Sequence, residues 1–578
     1  MTIWDLRRGD ADDDRLSPGG RGLRSIILST LFEFNLLQGA LAFLLLILLP
    51  ALLIGLVPSL ALTYGAVVKG AVTRLLDEPY RALAVLAICA VAAYWWGASL
   101  ARHTLRNIWQ LHYTLVFPVF VLVRETVKLI GEGRLPDQSS VSALHRLRRI
   151  GTLIAGALFA GGSLLLAVAL LKTYGIVSVS LTAAPARDIM RAALIDGVIV
   201  LAFSTVASSL FWAWRELSAI SPVINWTPGA VPPPGQNTRI AHISDPHIVG
   251  GPNEFRMEAG TRGPRGNDRW SAVLDRLTAL DAEKPFDWIL LTGDVTDAGT
   301  RTEWVEFLER TALHPQFSGR LLMLPGNHDV NIADRTDAAK LELPWSVSMA
   351  LRKLRFLIAA DSLQGTRVHL VDHVSGKLGP TLDSFLRSDG RQGQMRSLAS
   401  SGSLRAGTDV SRIWRGLFPL VVPPADGQPG VMLLNSCSDS HMALTNAIGV
   451  IDPQQLRAVT RLLTEFGDAA WLIALHHQVV EYPATGASLK ERVGLTLINA
   501  PDLFASIGTH ARRIVIVHGH RHRDWIGHCG AVGLCSAPSA VLGNFDGNYA
   551  DGVFHVHNLL ISENAGLCIA DTERIIVN

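Results

Sequence analysis

Five short polar motifs, each directly behind an apolar run of strand length, constrain this chain more than any other feature. They are Asp245-Pro-His247, Gly293-Asp294-Val-Thr-Asp297, Gly326-Asn327-His328-Asp329, His476-His477 and Gly519-His520-Arg-His522. The runs before them are residues 239–243, 288–291, 321–324, 471–475 and 514–517. Open α/β sheets collect ligands beyond the carboxyl ends of their strands, so five strand ends can converge however far apart they lie in sequence.

Carboxylate, imidazole and amide-carbonyl donors together suit borderline divalent ions such as Mn, Fe, Zn or Co. Two such ions roughly 3.5–4 Å apart can clamp the attacking and leaving oxygens of a displacement at phosphorus and generate hydroxide near neutral pH. A bridging carboxylate is then needed, and Asp294 is the natural candidate. Taken singly, each motif also has a plain reading: Asp and Asn stabilise turns through side-chain hydrogen bonds, and the His-rich run could be a surface loop. Their number and order argue against that reading.

The ordered set resembles the calcineurin-like metallophosphoesterase superfamily, whose pattern is D-x-H, GDxxD, GNHD, a His after a strand, then GHxH. The resemblance covers about residues 238–578. It implies a four-layered αββα sandwich of the α/β (α+β) class, with two mixed sheets face to face and helices outside. It further implies two divalent metal ions, with Asp245, His247 and His522 on one, Asn327, His476 and His520 on the other, and Asp294 bridging. His328 is then a catalytic donor over the substrate, and Asp329 beside it orients and charges the ring. Such donors act on charge that develops in the transition state. Within the His pair, His476 follows the strand directly and His477 points to the other face, so His476 is preferred. His242 and His518, within or beside apolar strands, read as core or supporting residues. Asp297 reads as a support for a turn or for a ligand imidazole.

The N-terminal part is of another kind. The chain has 578 residues, 49% of them hydrophobic, and a mean hydropathy of +0.28, an average over two unlike modules. Uncharged stretches run over 34–68, 82–101, 150–171 and 197–214. A spanning helix needs about 20 apolar residues, so four crossings are the simplest count, with Pro50 and Pro58 kinking or tilting the first. Residues 107–123 could make a fifth crossing or lie in the interface. Positive charge favours four. Arg7, Arg8, Arg15, Arg21 and Arg24 precede the first stretch; Arg102, Arg106, Arg124, Lys128, Arg134, Arg146, Arg148 and Arg149 separate the second and third; the other two loops carry three each. The positive-inside rule then places both termini in the cytoplasm.

These observations divide the chain into an N-terminal cytoplasmic segment (1–35), an all-α transmembrane helical region (36–215), a Pro-rich linker (216–237) and a phosphoesterase domain (238–578). Within the last, residues 374–410 are rich in Ser, Gly and Arg without sustained apolar periodicity. They read as a mobile loop or cap, whose Lys377, Arg387, Arg391, Arg396, Arg405 and Arg412 could attract a phosphorylated headgroup. Five cysteines without a C-x-x-C pair read as free thiols in a reducing compartment. A formal charge of +2 argues against a nucleic-acid partner.

The expectation is a multi-pass protein of the inner or plasma membrane. Its cytoplasmic phosphoesterase would hydrolyse a phosphodiester, pyrophosphate or phosphomonoester, on a phosphorylated small molecule or a lipid. A cyclic-nucleotide phosphodiesterase is the alternative within enzymes. A membrane sensor with the phosphoesterase domain as output or binding module is the alternative of another class. Oligomeric state stays open.

Overall fold

The computed structural model describes residues 3–12, 52, 55–76, 116–136, 139–177, 179, 184–227, 236–332, 346–388, 390–437, 447–483, 489, 492, 497–543, 551–562 and 566–577. They fall into two compact units, one of residues 1–35 with 219–578 and the other of residues 36–218.

The first unit holds fourteen described strands: β1 Val223–Asn225, β2 Gln236–Ile243, β3 Trp288–Leu291, β4 Leu321–Met323, β5 His369–Val371, β6 Leu378–Thr381, β7 Leu420–Val422, β8 Gly430–Leu433, β9 Trp471–Ala474, β10 Ile514–His518, β11 Trp525–Cys529, β12 Val532–Ser536, β13 Gly552–Ser562 and β14 Gly566–Val577. A nine-stranded sheet has the order β1-β11-β12-β10-β9-β8-β7-β5-β6, and a five-stranded sheet the order β14-β13-β2-β3-β4. Both are mixed. In the smaller sheet β2, β3 and β4 run parallel; in the larger, β8, β9, β10 and β12 do.

Burial follows the strand period. Leu472 and Ala474 of β9 join one large core with residues of the five-stranded sheet. Their neighbours Trp471 and Ile473 face a second core. That core includes Leu456, Val459 and Leu463 of the helix Pro453–Glu465, and Leu503 and Phe504 of the helix Ala500–Ile507. The arrangement is consistent with the expected metallophosphoesterase sandwich.

Three segments depart from expectation. Residues 374–410 are not a loop: they contain β6 and the helices Leu382–Arg387 and Arg391–Ser401, and a further helix, Leu404–Arg415, follows. Leu382, Leu386, Met395 and Leu398 are buried in the large core; short helices bury few residues each, so the periodicity is too brief to read in a Ser- and Gly-rich stretch. The linker is shorter than expected, because the helix Ala186–Ala219 runs into it and β1 forms an antiparallel edge strand on β11, pairing Val223 with Cys529. The run Pro232–Pro234 lies outside the described residues.

Nor is the N-terminal segment separate from the phosphoesterase domain: its described residues belong to the same unit. Ile3 and Leu6 belong to the large core. Arg396 donates to the Ile3 carbonyl at 3.1 Å and Arg301 to that of Leu6 at 3.1 Å. Among the described cysteines, Cys437, Cys529, Cys535 and Cys568 are free thiols.

Among the described residues of the second unit, two helices are long and apolar enough to cross a membrane: Val141–Tyr174 and Ala186–Ala219, each of 34 residues, with mean hydropathies of 2.3 and 2.0. Only 22% and 39% of their most apolar windows are buried. They contain the third and fourth expected spans. Residues 82–101 lie outside the described residues, so a four-span region is not established. Pro58 is the second residue of the helix Val57–Leu76, and a helical hydrogen bond from Leu56 to Leu52 precedes it; Pro50 lies outside the described residues. A helix Phe117–Glu132 follows, tied by ion pairs: Arg124 and Lys128 both reach Glu216, at 2.7 and 2.8 Å, and Arg148 reaches Glu132 at 2.8 Å.

Candidate metal centre

Each candidate ligand leaves the end of a parallel strand: Asp245 and His247 after β2, Asp294 after β3, Asn327 after β4, His476 after β9, His520 and His522 after β10. All seven are buried, none more than 6% exposed. Among the described residues, the non-glycine residues with positive φ are Asp245, His247, Asp294, His520 and His522, with φ between 44° and 71°. Every one belongs to the candidate set. Left-handed backbone costs a side-chain-bearing residue about 1–2 kcal/mol, and strain of this kind gathers at functional sites.

The glycines of the motifs have a steric reason. A Cβ on Gly326 would lie 2.0 Å from the Asp294 nitrogen, and one on Gly519 would lie 1.7 Å from Ser244 Oγ and 2.4 Å from Asp245 Oδ2. The strand ends could not close to this distance with any larger residue.

Two clusters result, Asp245 with His247 and His522, and Asp294 with His476 and His520, each with donor atoms within 4.8 Å of one another. In the first, His247 Nε2 is 3.4 Å from His522 Nε2 and Asp245 Oδ1 is 3.5 Å from the latter. In the second, His476 Nε2 stands 3.1 Å from each of Asp294 Oδ2, Asn327 Oδ1 and His520 Nδ1. The same oxygen, Asp294 Oδ2, is 3.9 Å from His247 Nε2 and so faces both clusters. Its other oxygen accepts the His328 backbone N–H at 2.7 Å. His477 takes a different partner: its Nδ1 pairs with Ser436 Oγ at 2.8 Å, while its ring packs 4.5 Å from that of His520.

Supporting contacts hold the rings. His476 Nδ1 meets the Thr292 carbonyl at 2.8 Å, which leaves Nε2 to face Asp294. Asp297 Oδ1 lies 3.4 Å from His247 Nδ1, and both its oxygens accept the Met257 N–H. Asp245 Oδ1 is buried with no hydrogen-bond partner, a costly state that a cation would relieve. Electrostatics agree. Burial disfavours a charged His476, but the Asp294 carboxylate outweighs it and raises the ring to about 9. Likewise burial lowers His522, and Glu258 with Asp245 raises it to about 9. The carboxylates thus call for positive charge at both clusters, and the donor set fits two divalent ions.

One expected role is overturned. Asp329 does not orient the His328 ring. Its carboxylate accepts from Gly326 N at 2.9 Å and from Thr296 N and Oγ1, both at 2.8 Å, and so braces the turn that carries Asn327. The ring is held instead by the Asp297 carbonyl, 2.7 Å from His328 Nδ1. Adjacency misled here because successive side chains in a tight turn point apart. Burial opposes a charged His328, yet Asp294, Glu258 and Asp297 outweigh it and hold the ring well above the ordinary imidazole range.

Glu258 was not foreseen. Its oxygens lie 3.7 Å from His328 Nε2 and 3.4 Å from His522 Nδ1, and those imidazoles, against the effect of burial, hold it well below the usual carboxylate range. It sits in a loop with no strand before it, so no local signal marks it. The arginines of 374–412 are largely engaged within the protein: Arg387 with Asp361 and Asp383, Arg391 over the Phe385 ring, Arg396 with Ile3 and Arg412 with Asp409.

Residues 238–391 match the family described as calcineurin-like phosphoesterase. The match includes Asp245, His247, Asp294 and Asn327–Asp329 and ends before His476. No curated protein matches the chain by sequence. Similar solved structures include a dimetal phosphatase from Danio rerio, at 15% identity over 59% of this chain and 98% of that one, TM-score 0.31. Others are an NAD nucleotidase from Haemophilus influenzae, at 14% identity over 59% and 50%, TM-score 0.28, and a purple acid phosphatase from yellow lupin (Lupinus luteus), at 11% identity over 61% and 55%, TM-score 0.26. The chain spans about half the length of the latter two. The family match over residues 238–391 supports a metal-dependent hydrolase.

Proposed function

We propose that this chain is a membrane-anchored phosphoesterase that uses two divalent metal ions to hydrolyse a phosphodiester, pyrophosphate or phosphomonoester, on a lipid or another substrate held at the membrane. The observation that carries the reading is the coincidence of strain and chemistry: among the described residues, the left-handed non-glycine residues are all candidate ligands, set around an Asp294 oxygen that faces both clusters.

Asp245, His247 and His522 would hold one ion, Asn327, His476 and His520 the other, with Asp294 shared. When bound, the ions would supply Lewis acidity and lower the pKa of water. The protein does the rest. His328, fixed by the Asp297 carbonyl, presents Nε2 as a donor to a phosphoryl or leaving-group oxygen. Asp294, with Glu258 and Asp297, favours the charged form of that ring, and Asp329 keeps the turn closed.

The anchoring part of the reading draws on the two long apolar helices and on the N-terminus. Residues 3–12 pack in the same unit as the metal centre, which supports an even number of crossings between 36 and 218 and favours four over five. The charge distribution supports a cytoplasmic catalytic unit.

The deciding experiment is Mn2+-dependent hydrolysis of bis-p-nitrophenyl phosphate and p-nitrophenyl phosphate by the full-length chain in detergent, with metal content measured. The full chain is needed because residues 3–12 and β1 belong to the catalytic unit. Turnover that is lost on chelation and restored by Mn2+ is expected. A chain that binds two metals and cleaves neither compound would overturn the enzymatic reading.

A further inference from the structure

A second group of imidazoles converges away from the Asp294 centre. His242 lies on β2; His555 and His557 lie two apart on β13, with His555 directly opposite His242 in the register. Strand geometry puts all three on one face. They are buried, at 0%, 0% and 1% exposure, and one ring nitrogen of each lies within 4.8 Å of the others.

The nitrogens that point away from this centre are each engaged. His242 Nε2 meets Thr292 Oγ1 at 3.1 Å, His557 Nδ1 meets Thr572 Oγ1 at 2.8 Å, and His555 Nε2 meets Asp524 Oδ1 at 3.1 Å. Asp524 is in turn held by Arg574 at 2.7 Å. Metal-ligating histidines are oriented in this way, with the far nitrogen on a carboxylate or another oxygen.

Toward the centre, His242 Nδ1 and His557 Nε2 stand 3.1 Å apart. Zinc–nitrogen bonds of 2.0–2.1 Å place two donors of a tetrahedral shell about 3.3 Å apart. A hydrogen bond between the two rings would account for that distance equally well. It would not account for His555, whose Nδ1 is buried without a partner, a state that costs about 1–3 kcal/mol. One cation would satisfy all three nitrogens, and the Asp524 carboxylate behind His555 would offset its charge.

We propose that His242, His555 and His557 form a third metal site, which takes a borderline divalent ion such as zinc with water or a small anion as fourth ligand. It would pin β13 to β2, the strand that delivers Asp245. The role is structural; Thr292 links the site to the Asp294 centre, meeting His242 through its hydroxyl and His476 through its carbonyl.

The test is Co2+ titration of the metal-stripped full-length chain, counted by equilibrium binding and read by visible absorption, which distinguishes four-coordinate cobalt from higher coordination. The parent is expected to bind about three equivalents, and the paired variant, with His247→Asn for the first ion and Asp294→Asn/His476→Asn for the second, to keep about one, with the strong absorption of a four-coordinate ion. His557→Gln should lose about one equivalent and keep the others. The paired variant leaves the imidazole cluster untouched, so it decides the matter even if His557→Gln fails to fold. A folded paired variant that binds no cobalt overturns the proposal, as does a His557→Gln chain with the parent's stoichiometry. Neither result bears on the Asp294 centre.

Discussion

Asp10 and Arg355, 345 residues apart, form a buried two-pronged ion pair, with Nε to Oδ2 at 2.7 Å and Nη2 to Oδ1 at 2.9 Å. Arg355 also reaches Asp12 Oδ2 at 2.8 Å and donates to the Gly299 carbonyl at 3.1 Å. Gly299 closes the loop whose Asp297 carbonyl holds His328. Three contacts and the chain segment 297–299 therefore link the N-terminal residues to the ring we assign to catalysis.

Replacing Asp10 by Ala leaves the Arg355 guanidinium buried beside Asp12 alone, and losing one partner of a buried pair costs about 3–5 kcal/mol. We expect a fall in unfolding midpoint and faster amide exchange at 297–300, with metal content unchanged. Unaltered exchange in that loop would show that the N-terminus does not brace it.

His328→Ala should lower kcat by about 10²–10³ with both metals retained, since the ring is not among the proposed ligands. Asp329→Asn acts differently. It weakens the acceptors for Gly326 N and Thr296 N, so its loss of activity should come with reduced stability. Equal stability of the two variants in urea titrations would contradict this division.

The two neighbours His476 and His477 should separate cleanly by metal analysis. His476→Ala removes the nitrogen 3.1 Å from Asp294, Asn327 and His520 and should weaken metal binding at least about 10-fold. His477→Ala removes a partner of Ser436 and should leave metal content near that of the parent.

Asp281 holds Arg320 through two bonds of 2.7 and 2.8 Å, and Arg320 also caps the Phe286 carbonyl, just ahead of β3. Burial raises the Asp281 pKa, but Arg320 and the Phe286 N–H outweigh it and leave it below the ordinary value. A lowered folded pKa gives stability that is present above the unfolded value, about 3.9, and is lost as pH falls through the folded one. Asp281→Asn should therefore cost about 1 kcal/mol near pH 7 and progressively less below pH 4. A pH-independent difference in unfolding midpoint would refute the linkage.

What the chain announces locally could be read from it. Asp245, Asp294, Asn327, His476, His520 and His522 each stand behind an apolar run, and both the run and the ligand chemistry are properties of a few adjacent residues. The long apolar stretches 150–171 and 197–214 were legible for the same reason. The rest depends on residues distant in sequence. That Asp297 rather than Asp329 holds His328, that Glu258 enters the site, that His242 meets His555 and His557, and that Asp10 finds Arg355 are all outcomes of packing. A polar side chain specifies only that it needs a partner when buried; the fold decides which partner is within reach.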